Sequence, residues 1–254
     1  MSVCSAGSAA GTGEVGNLGA HNLDESRWMI GQNDIAPSVI AIAGRVGMDD
    51  DGQTPNTQIS YFDYRPVPMI YEVRGLRRNK SLRAREHYKG VSFGMVINCE
   101  GGYFAGGRGG GWVYDNNGRR IKQFPGDGGR DHQANFIKAV RSRKVSDLRA
   151  DVLEGHVSAA LCHMANISYR IGRTEPPEKI AGAISGNSHL AEAFGRCVEH
   201  MRANEVDLGR EPLTIGPCLS FDKDSEQFTG QFSESANMYL RRNYREPFVV
   251  PDEV

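Results

Sequence analysis

The sequence lacks the features that mark several protein classes. No apolar run approaches the length of a bilayer span, and no charged segment followed by an apolar one opens the chain, so neither a membrane span nor a secretory signal is predicted. The five cysteines are odd in number and never spaced C-x-x-C, which predicts neither a disulfide framework nor a zinc knuckle. Neither sign of charge is in excess, because 30 Lys and Arg are balanced by 31 Asp and Glu. Nucleic acid and membranes are therefore not expected as partners.

What the chain does contain is a series of strand patterns followed by helical patterns. Apolar alternation predicts strands over residues 38–46, 56–64, 69–73, 91–99, 111–115 and 120–124. Helical spacing of apolar residues follows over 131–143, 151–171 and 189–205, with a strand over 213–221 and a short helix over 235–242. Consecutive strands without helices between them predict an α+β fold, with a large, mainly antiparallel sheet and helices packed on one face.

Two glycine-rich stretches do not match phosphate-binding loops. Residues 11–16 fit G-x-G-x-x-G, but the preceding residues lack the β-branched run of a strand, so a dinucleotide loop is rejected. Residues 101–111 lack the lysine-serine or lysine-threonine pair of a P-loop and are predicted to be a flexible strand connection. The acidic run at 49–51 lacks the spacing of a calcium loop, and no metal site is predicted. Residues 1–12 are expected to be disordered or poorly packed, which leaves residues 13–254 as one domain.

The most informative stretch begins the predicted domain. Its pattern Gly16-Asn17-x-Gly19-x-His21-x-x-Asp24, followed by Arg27-Trp28, resembles the turn and helix that open the second domain of the Gfo/Idh/MocA family, named after glucose-fructose oxidoreductase and inositol dehydrogenase. The resemblance continues through residues 50–57, 131–136 and 155–167 in family order. The Rossmann domain and the Glu-Lys-Pro segment that precede this region in the family have no counterpart in the sequence. The chain is therefore expected to be the C-terminal domain alone.

The resemblance assigns roles within this stretch. His21 and Asn17 are the catalytic candidates, and of the two His21 could move a proton, because the reference pKa of histidine, about 6.5, suits proton transfer. Asn17 stands where family members carry an aspartate, and an amide can orient a hydroxyl but cannot act as a base. Asp24, Arg27 and Trp28 are substrate-binding candidates, and Asp24 could also hold the imidazole tautomer. From the residues alone, a helix cap at Asn17, a polar gap filled by His21 and a solvated carboxylate at Asp24 are equally open.

The resemblance also implies a function. It predicts the substrate-binding and oligomerisation domain of an NAD(P)-dependent sugar or polyol oxidoreductase, inactive alone because the hydride acceptor belongs to the cofactor. This chain alone is expected to bind no cofactor, and NAD or NADP is implied only for a complete family member. We expect a homo-oligomer through the open sheet face.

Two alternatives remain open at this stage. One is half of a split oxidoreductase that a separate Rossmann subunit completes, and the other is a cofactor-free carbohydrate-binding or structural protein. Whether the chain is itself an enzyme stays undecided. A cytoplasmic location is expected by default, unless a targeting signal was lost with the first domain.

Overall fold

The computed structural model of the chain describes residues 11–241 and 244–249. The strands within these residues are β1 (Ser38–Gly44), β2 (Thr57–Phe62), β3 (Met69–Arg74), β4 (Met95–Cys99), β5 (Gly102–Gly107), β6 (Gly110–Asp115), β7 (Arg120–Pro125), β8 (Arg173–Glu175), β9 (Leu213–Ile215), β10 (Leu219–Asp222) and β11 (Gln227–Thr229). The helices are α1 (Gly13–Asn17), α2 (Gly19–Ile30), α3 (His132–Ser142), α4 (Val152–Arg170), α5 (Pro177–Ala183), α6 (Ser188–Ala203) and α7 (Ser233–Asn237), with a 3-10 turn at Val145–Asp147.

The strands form two antiparallel sheets. The first has seven strands, in which β11, β10, β1, β2 and β3 are neighbours in that order, while β9 also pairs with β1 and β8 pairs with β9. The second has four strands in chain order, from β4 to β7. Each strand pair of the described residues is antiparallel. The predicted α+β class with a mainly antiparallel sheet is confirmed.

Helices cover both faces of the seven-stranded sheet, whereas the sequence predicts them on one face. Val39 and Phe62 are paired across β1 and β2 and belong to a core with residues of α2 and α4. Ile42 and Ile59 point to the opposite side and belong to a second core with α5 and α6. The difference arises because β1 and β2 are buried on both sides. Periodicity predicts α6 correctly as a helix but cannot tell which side of a sheet it covers.

The glycine-rich stretch is a strand and not a flexible connection. Gly102–Gly107 forms β5 and pairs with β4 on one side and β6 on the other. Glycine fits here because the neighbouring strand passes very close: a Cβ at Gly106 would lie 2.5 Å from the Gly110 carbonyl oxygen, and one at Gly111 would lie 2.5 Å from that of Ala105. The sheet ends at β7, all of whose residues are exposed.

Helix α3 does not pack on a sheet as its amphipathic pattern predicts. Phe136, Ile137 and Val140 on its apolar side are 59%, 48% and 44% exposed, and only Ala139 is buried in this helix.

The N-terminal segment is fixed to α4 at Thr12, whose carbonyl oxygen accepts a hydrogen bond from Asn166 Nδ2 at 3.0 Å. Gly11 is described and buried as well, and residues 1–10 of the segment expected to be disordered lie outside the described residues.

Candidate functional site

Helix α2 carries most of the predicted site residues and lies against α4 and β3. Gly19 begins the helix at the point of closest approach, where a Cβ would lie 3.3 Å from Cys162 Sγ and 3.4 Å from Tyr71 Cε1. Burial raises the pKa of the Cys162 thiol to about 12, so this cysteine is an inert packing group at neutral pH. At the other end Gly31 adopts the left-handed conformation that ends the helix.

Arg27 is on the inner side of α2 and is completely buried. Its guanidinium donates to Ser158 Oγ through both Nε and Nη2, at 3.2 and 3.1 Å, and to the Gln32 carbonyl at 2.9 Å. It also forms ion pairs with Asp24 at 3.3 Å and with Glu154 at 2.9 Å. The structure therefore places Arg27 between α2 and α4, with its donors directed at protein groups.

Asp24 belongs to the same buried network. Its Oδ1 accepts hydrogen bonds from Ser158 Oγ at 2.7 Å and from Arg27. No hydrogen bond joins it to His21, although the two residues are three positions apart on one helix. Asp24 and Arg27 thus stabilise the packing of α2 on α4, and a contact of either with a substrate stays a prediction.

The outer side of α2 and of the preceding helix is different. Asn17, His21, Glu25 and Trp28, hereafter the outer stripe, follow one another at the three- and four-residue spacing of a helix face. Asn17 and His21 are exposed, Trp28 is 54% exposed, and Asn17 donates to Glu14 Oε2 at 3.3 Å. The His21 ring makes no hydrogen bond with another described residue. The structure therefore brings three of the five predicted site residues to one accessible surface.

Glu25 was not predicted as a site residue, although it is one turn from His21. Partial burial has the largest effect on the Glu25 carboxyl and raises its pKa above the usual value. The charges of Arg108 and His21 lower this pKa, and the charge of Asp24 raises it. The spacing from His21 was a signal that could have identified Glu25. Arg108 had no such signal, because it lies in the turn between β5 and β6, remote in sequence.

The chemistry available on the outer stripe is proton transfer and hydrogen bonding. An exposed imidazole can accept or donate a proton, and a neighbouring carboxylate and amide can fix the hydroxyls of a bound molecule. Among the described residues, no cluster of three or more potential metal ligands is found. None of the described helices combines the length and the apolarity that crossing a membrane requires.

The described residues do not form a Rossmann-type dinucleotide site. Such a fold needs parallel strands and a glycine-rich turn between strand and helix. The strands here pair antiparallel, and the glycine-rich residues 11–16 lead into α1, where Gly13 packs beside Thr54 and Pro55.

Comparison with known proteins assigns no family to the chain. No protein-family profile and no curated protein sequence matches it. Among solved structures it is similar to a crystal structure of a protein from Bacteroides fragilis NCTC 9343, provisionally described as an oxidoreductase, with 18% sequence identity and a TM-score of 0.41. The match covers 61% of this chain and 48% of that one, so the chain spans about half the length of that protein. A similarity this low defines neither a fold nor a reaction for this chain.

Proposed function

We propose that this chain is the substrate-binding domain of an NAD(P)-dependent sugar or polyol oxidoreductase of the Gfo/Idh/MocA type. The observation that carries the proposal is the outer stripe, in which Asn17 and His21 are accessible, on one face and one turn apart. These are the positions at which the sequence resembles the catalytic segment of that family. On the inner side of α2, the ion pairs of Arg27 with Asp24 and Glu154 fix the helix to α4.

In this proposal His21 is the group that moves the proton of the reacting hydroxyl. Its ring is exposed and free of hydrogen bonds to other described residues, so a substrate hydroxyl can approach either nitrogen. Asn17 orients the same hydroxyl by hydrogen bonding but takes no proton. Trp28 offers an exposed aromatic face at the end of the stripe, against which the apolar side of a sugar ring can pack.

Hydride transfer in this proposal needs a nicotinamide cofactor held outside the described residues, since those residues do not form a Rossmann fold. A separate Rossmann subunit would complete the site. A carbohydrate-binding protein that uses no cofactor is the second candidate function, and the antiparallel pairing of the described strands fits it equally well. The two differ in whether NAD or NADP, together with such a subunit, changes the affinity for sugar.

A second copy of this chain is the proposed partner for the four-stranded sheet. The large sheet was expected to be the open one, but both of its faces are covered by helices. The four-stranded sheet instead leaves β7 exposed along its whole length, with Ile121 and Phe124 at 60% and 46% exposure. Association with a second copy would remove this exposed edge and its apolar side chains from water, which is favourable.

The proposal is tested by isothermal titration of the purified 254-residue chain, freed of bound nucleotide, with glucose, galactose, glucuronate, galacturonate, myo-inositol, NAD and NADP. We expect at least one sugar, sugar acid or polyol to bind and the nucleotides to give no heat. His21→Ala should weaken the binding about tenfold or more, the usual scale for losing a hydrogen bond to a charged or polar ligand group. His132→Ala, which removes another exposed imidazole at the start of α3, is the matched control.

Two results would contradict the proposal. If none of the sugars, sugar acids or polyols binds, the proposed substrate-binding function is wrong. If His21→Ala and His132→Ala have equal effects, His21 is not part of the binding site. Binding of NAD or NADP to the chain alone would show a cofactor site that the described residues do not explain.

A further inference from the structure

The cations of the chain are concentrated in residues 74–125, which run from the end of β3 to the end of β7. This region contains eleven Lys and Arg and three Asp and Glu, whereas the rest of the chain contains 19 and 28. The balanced charge of the whole chain therefore hides a basic region and an acidic remainder. A region with this excess of cations attracts anions, although the chain as a whole has no such preference.

One face of the four-stranded sheet holds cations and aromatic rings in contact with one another. Tyr103 of β5 and Tyr114 of β6 are paired in register, and their rings are stacked with the centroids 4.9 Å apart. Lys89 Nζ lies 4.1 Å from the ring centroid of Tyr103, and the Arg120 guanidinium lies 4.8 Å from that of Trp112. Trp112 is two residues from Tyr114 on β6, so the rings share one side of the sheet. These five residues are hereafter the cation–aromatic face.

A tight turn fixes Lys89 over the sheet. Tyr88 and Val91 exchange both backbone hydrogen bonds, each at 2.9 Å, which leaves Lys89 and Gly90 as a two-residue tip. Both tip residues are in the left-handed region, with φ of 47° and 82°, as this kind of turn requires. The position of the lysine is therefore set by the backbone and not only by its flexible side chain.

Both cations of the face are accessible to a ligand. Lys89 and Arg120 are exposed, and among the described residues neither forms an ion pair with a carboxylate. The Lys89 ammonium donates to Asn98 Oδ1 of β4 at 2.7 Å, and its other hydrogens can bind a ligand. The ammonium lies between β4 and β5 and the guanidinium between β6 and β7, which separates them by roughly 10 Å across the sheet. One small anion cannot contact both, but linked anionic groups can.

We infer that the cation–aromatic face binds a polyanionic polysaccharide, a chain of sugars that carry carboxylate or sulfate groups. Lys89 and Arg120 pair with anionic groups of different sugar units. The phenol hydroxyls of Tyr103 and Tyr114 form no hydrogen bond with another described residue, so they can bind sugar hydroxyls. This face lies on different elements from the outer stripe, and Phe124, proposed to contact a second copy, points to the opposite side of the sheet.

The rings of the face favour a polysaccharide over a nucleic acid. Single-stranded nucleic acids bind to proteins by stacking their bases on free aromatic rings. Here Tyr103 lies between Lys89 and Tyr114, and one side of Trp112 is covered by Arg120. The protein itself occupies the stacking positions, whereas the cations that occupy them can still pair with anionic groups.

Dextran sulfate and neutral dextran, which share one backbone, test the inference. Their binding to the 254-residue chain is measured by biolayer interferometry, with single-stranded and duplex DNA at the same concentration of anionic groups as further probes. We expect dextran sulfate to bind at least about tenfold more tightly than dextran and than either DNA, because charge-assisted pairs form with the sulfates. The affinity should fall as sodium chloride is added, since the cations are exposed.

Lys89→Gln and Arg120→Gln should each weaken the binding of dextran sulfate about threefold, the scale of one exposed ion pair, and the double variant about tenfold. Lys144→Gln removes an exposed cation outside residues 74–125 and is the matched control. It should change the affinity less than either of the other substitutions. Circular dichroism checks that each variant is folded.

Equal binding of dextran and dextran sulfate, or binding of neither, overturns the inference. Tighter binding of DNA also overturns it, because the face would then belong to a nucleic-acid site. A double variant that binds dextran sulfate as well as Lys144→Gln does removes Lys89 and Arg120 from the binding surface. None of these results affects the titrations with small sugars that test the proposed function, so the two can fail separately.

Discussion

Arg27 shows how a charged residue can be structural even where a sequence pattern marks it as functional. It has no solvent exposure, and its charge is balanced by Asp24 and Glu154, while Ser158 accepts from two of its nitrogens. A buried charge is tolerated while its ion-pair partners are present. Removing one partner leaves an uncompensated charge in a low-dielectric environment, which destabilises the fold. Arg27 therefore matters first for the attachment of α2 to α4.

Arg27→Ala should lower the free energy of unfolding by about 3 kcal/mol, because it leaves the partly buried carboxylates of Asp24 and Glu154 without a cation. Urea unfolding followed by circular dichroism measures the loss. Arg65→Ala is the control: that side chain is 80% exposed and pairs with Asp63 on the surface, so its loss should cost less than about 1 kcal/mol. Equal losses in the two variants would contradict the structural role.

The division of the predicted site residues between two sides of α2 could not be read from the sequence. Helical spacing places Asp24 beside His21 and Trp28 and turns Arg27 away from them, but it does not say which side is buried. That is decided by α4, whose Ser158 is 131 positions from Arg27 in the chain.

At the scale of elements, α4 is exposed to solvent at its start and buried in its middle. Its first turn projects Val152 and Leu153 into solvent at 89% and 61% exposure, whereas Leu161, two turns on, is completely buried. Asp151 caps the helix by accepting from the backbone nitrogens of Leu153 and Glu154. The helix therefore begins at a defined residue outside the core and enters the core in its middle.

The same substitution at two positions of α4 should separate these environments. Leu161→Ala should cost about 3 kcal/mol of unfolding free energy, since it removes buried carbons and leaves a cavity. Leu153→Ala should cost less than about 1 kcal/mol because its side chain is already in water. Urea midpoints of both variants provide the measurement, and a large loss for Leu153→Ala would indicate that the first turn of α4 is covered in solution.

The long elements were predictable and the short or glycine-rich ones were not. The predicted helices over 131–143, 151–171 and 189–205 match α3, α4 and α6 within two residues at each end. Strands β8 and β11 have three residues each, too few to show alternation. Strand β5 was missed because its glycines show no apolar pattern, although their lack of side chains is what lets β6 approach. Helix α5 was missed as well, and the predicted strand over 213–221 is two strands, β9 and β10.

At the scale of the whole molecule, the two sheets are protected to different degrees. The seven-stranded sheet lies between two helical layers, each with its own apolar core. The four-stranded sheet has half-buried side chains on β6 and exposed ones on β7. Helix α3 adds a further exposed apolar side, through Phe136, Ile137 and Val140.

If a second copy covers the four-stranded sheet, Phe124→Asp should convert an oligomer into a monomer. The new carboxylate would have to be buried at the interface without a partner, which association cannot tolerate. Multi-angle light scattering after gel filtration measures the mass. Val152→Asp, at an 89% exposed apolar position of α4, should leave the mass unchanged. A monomeric unaltered chain, or an oligomer that survives Phe124→Asp, would contradict the proposal.

The pairing of β1 has a consequence for the order in which the protein is assembled during synthesis. One edge of β1 pairs with β2, which is made soon afterwards, but the other edge pairs with β9 and β10, which begin at Leu213. The central strand of the large sheet therefore stays half-paired while most of the chain is translated. Such long-range closure is slow and leaves an open apolar edge on the nascent chain. We expect this protein to depend on chaperone protection until its last strands have left the ribosome.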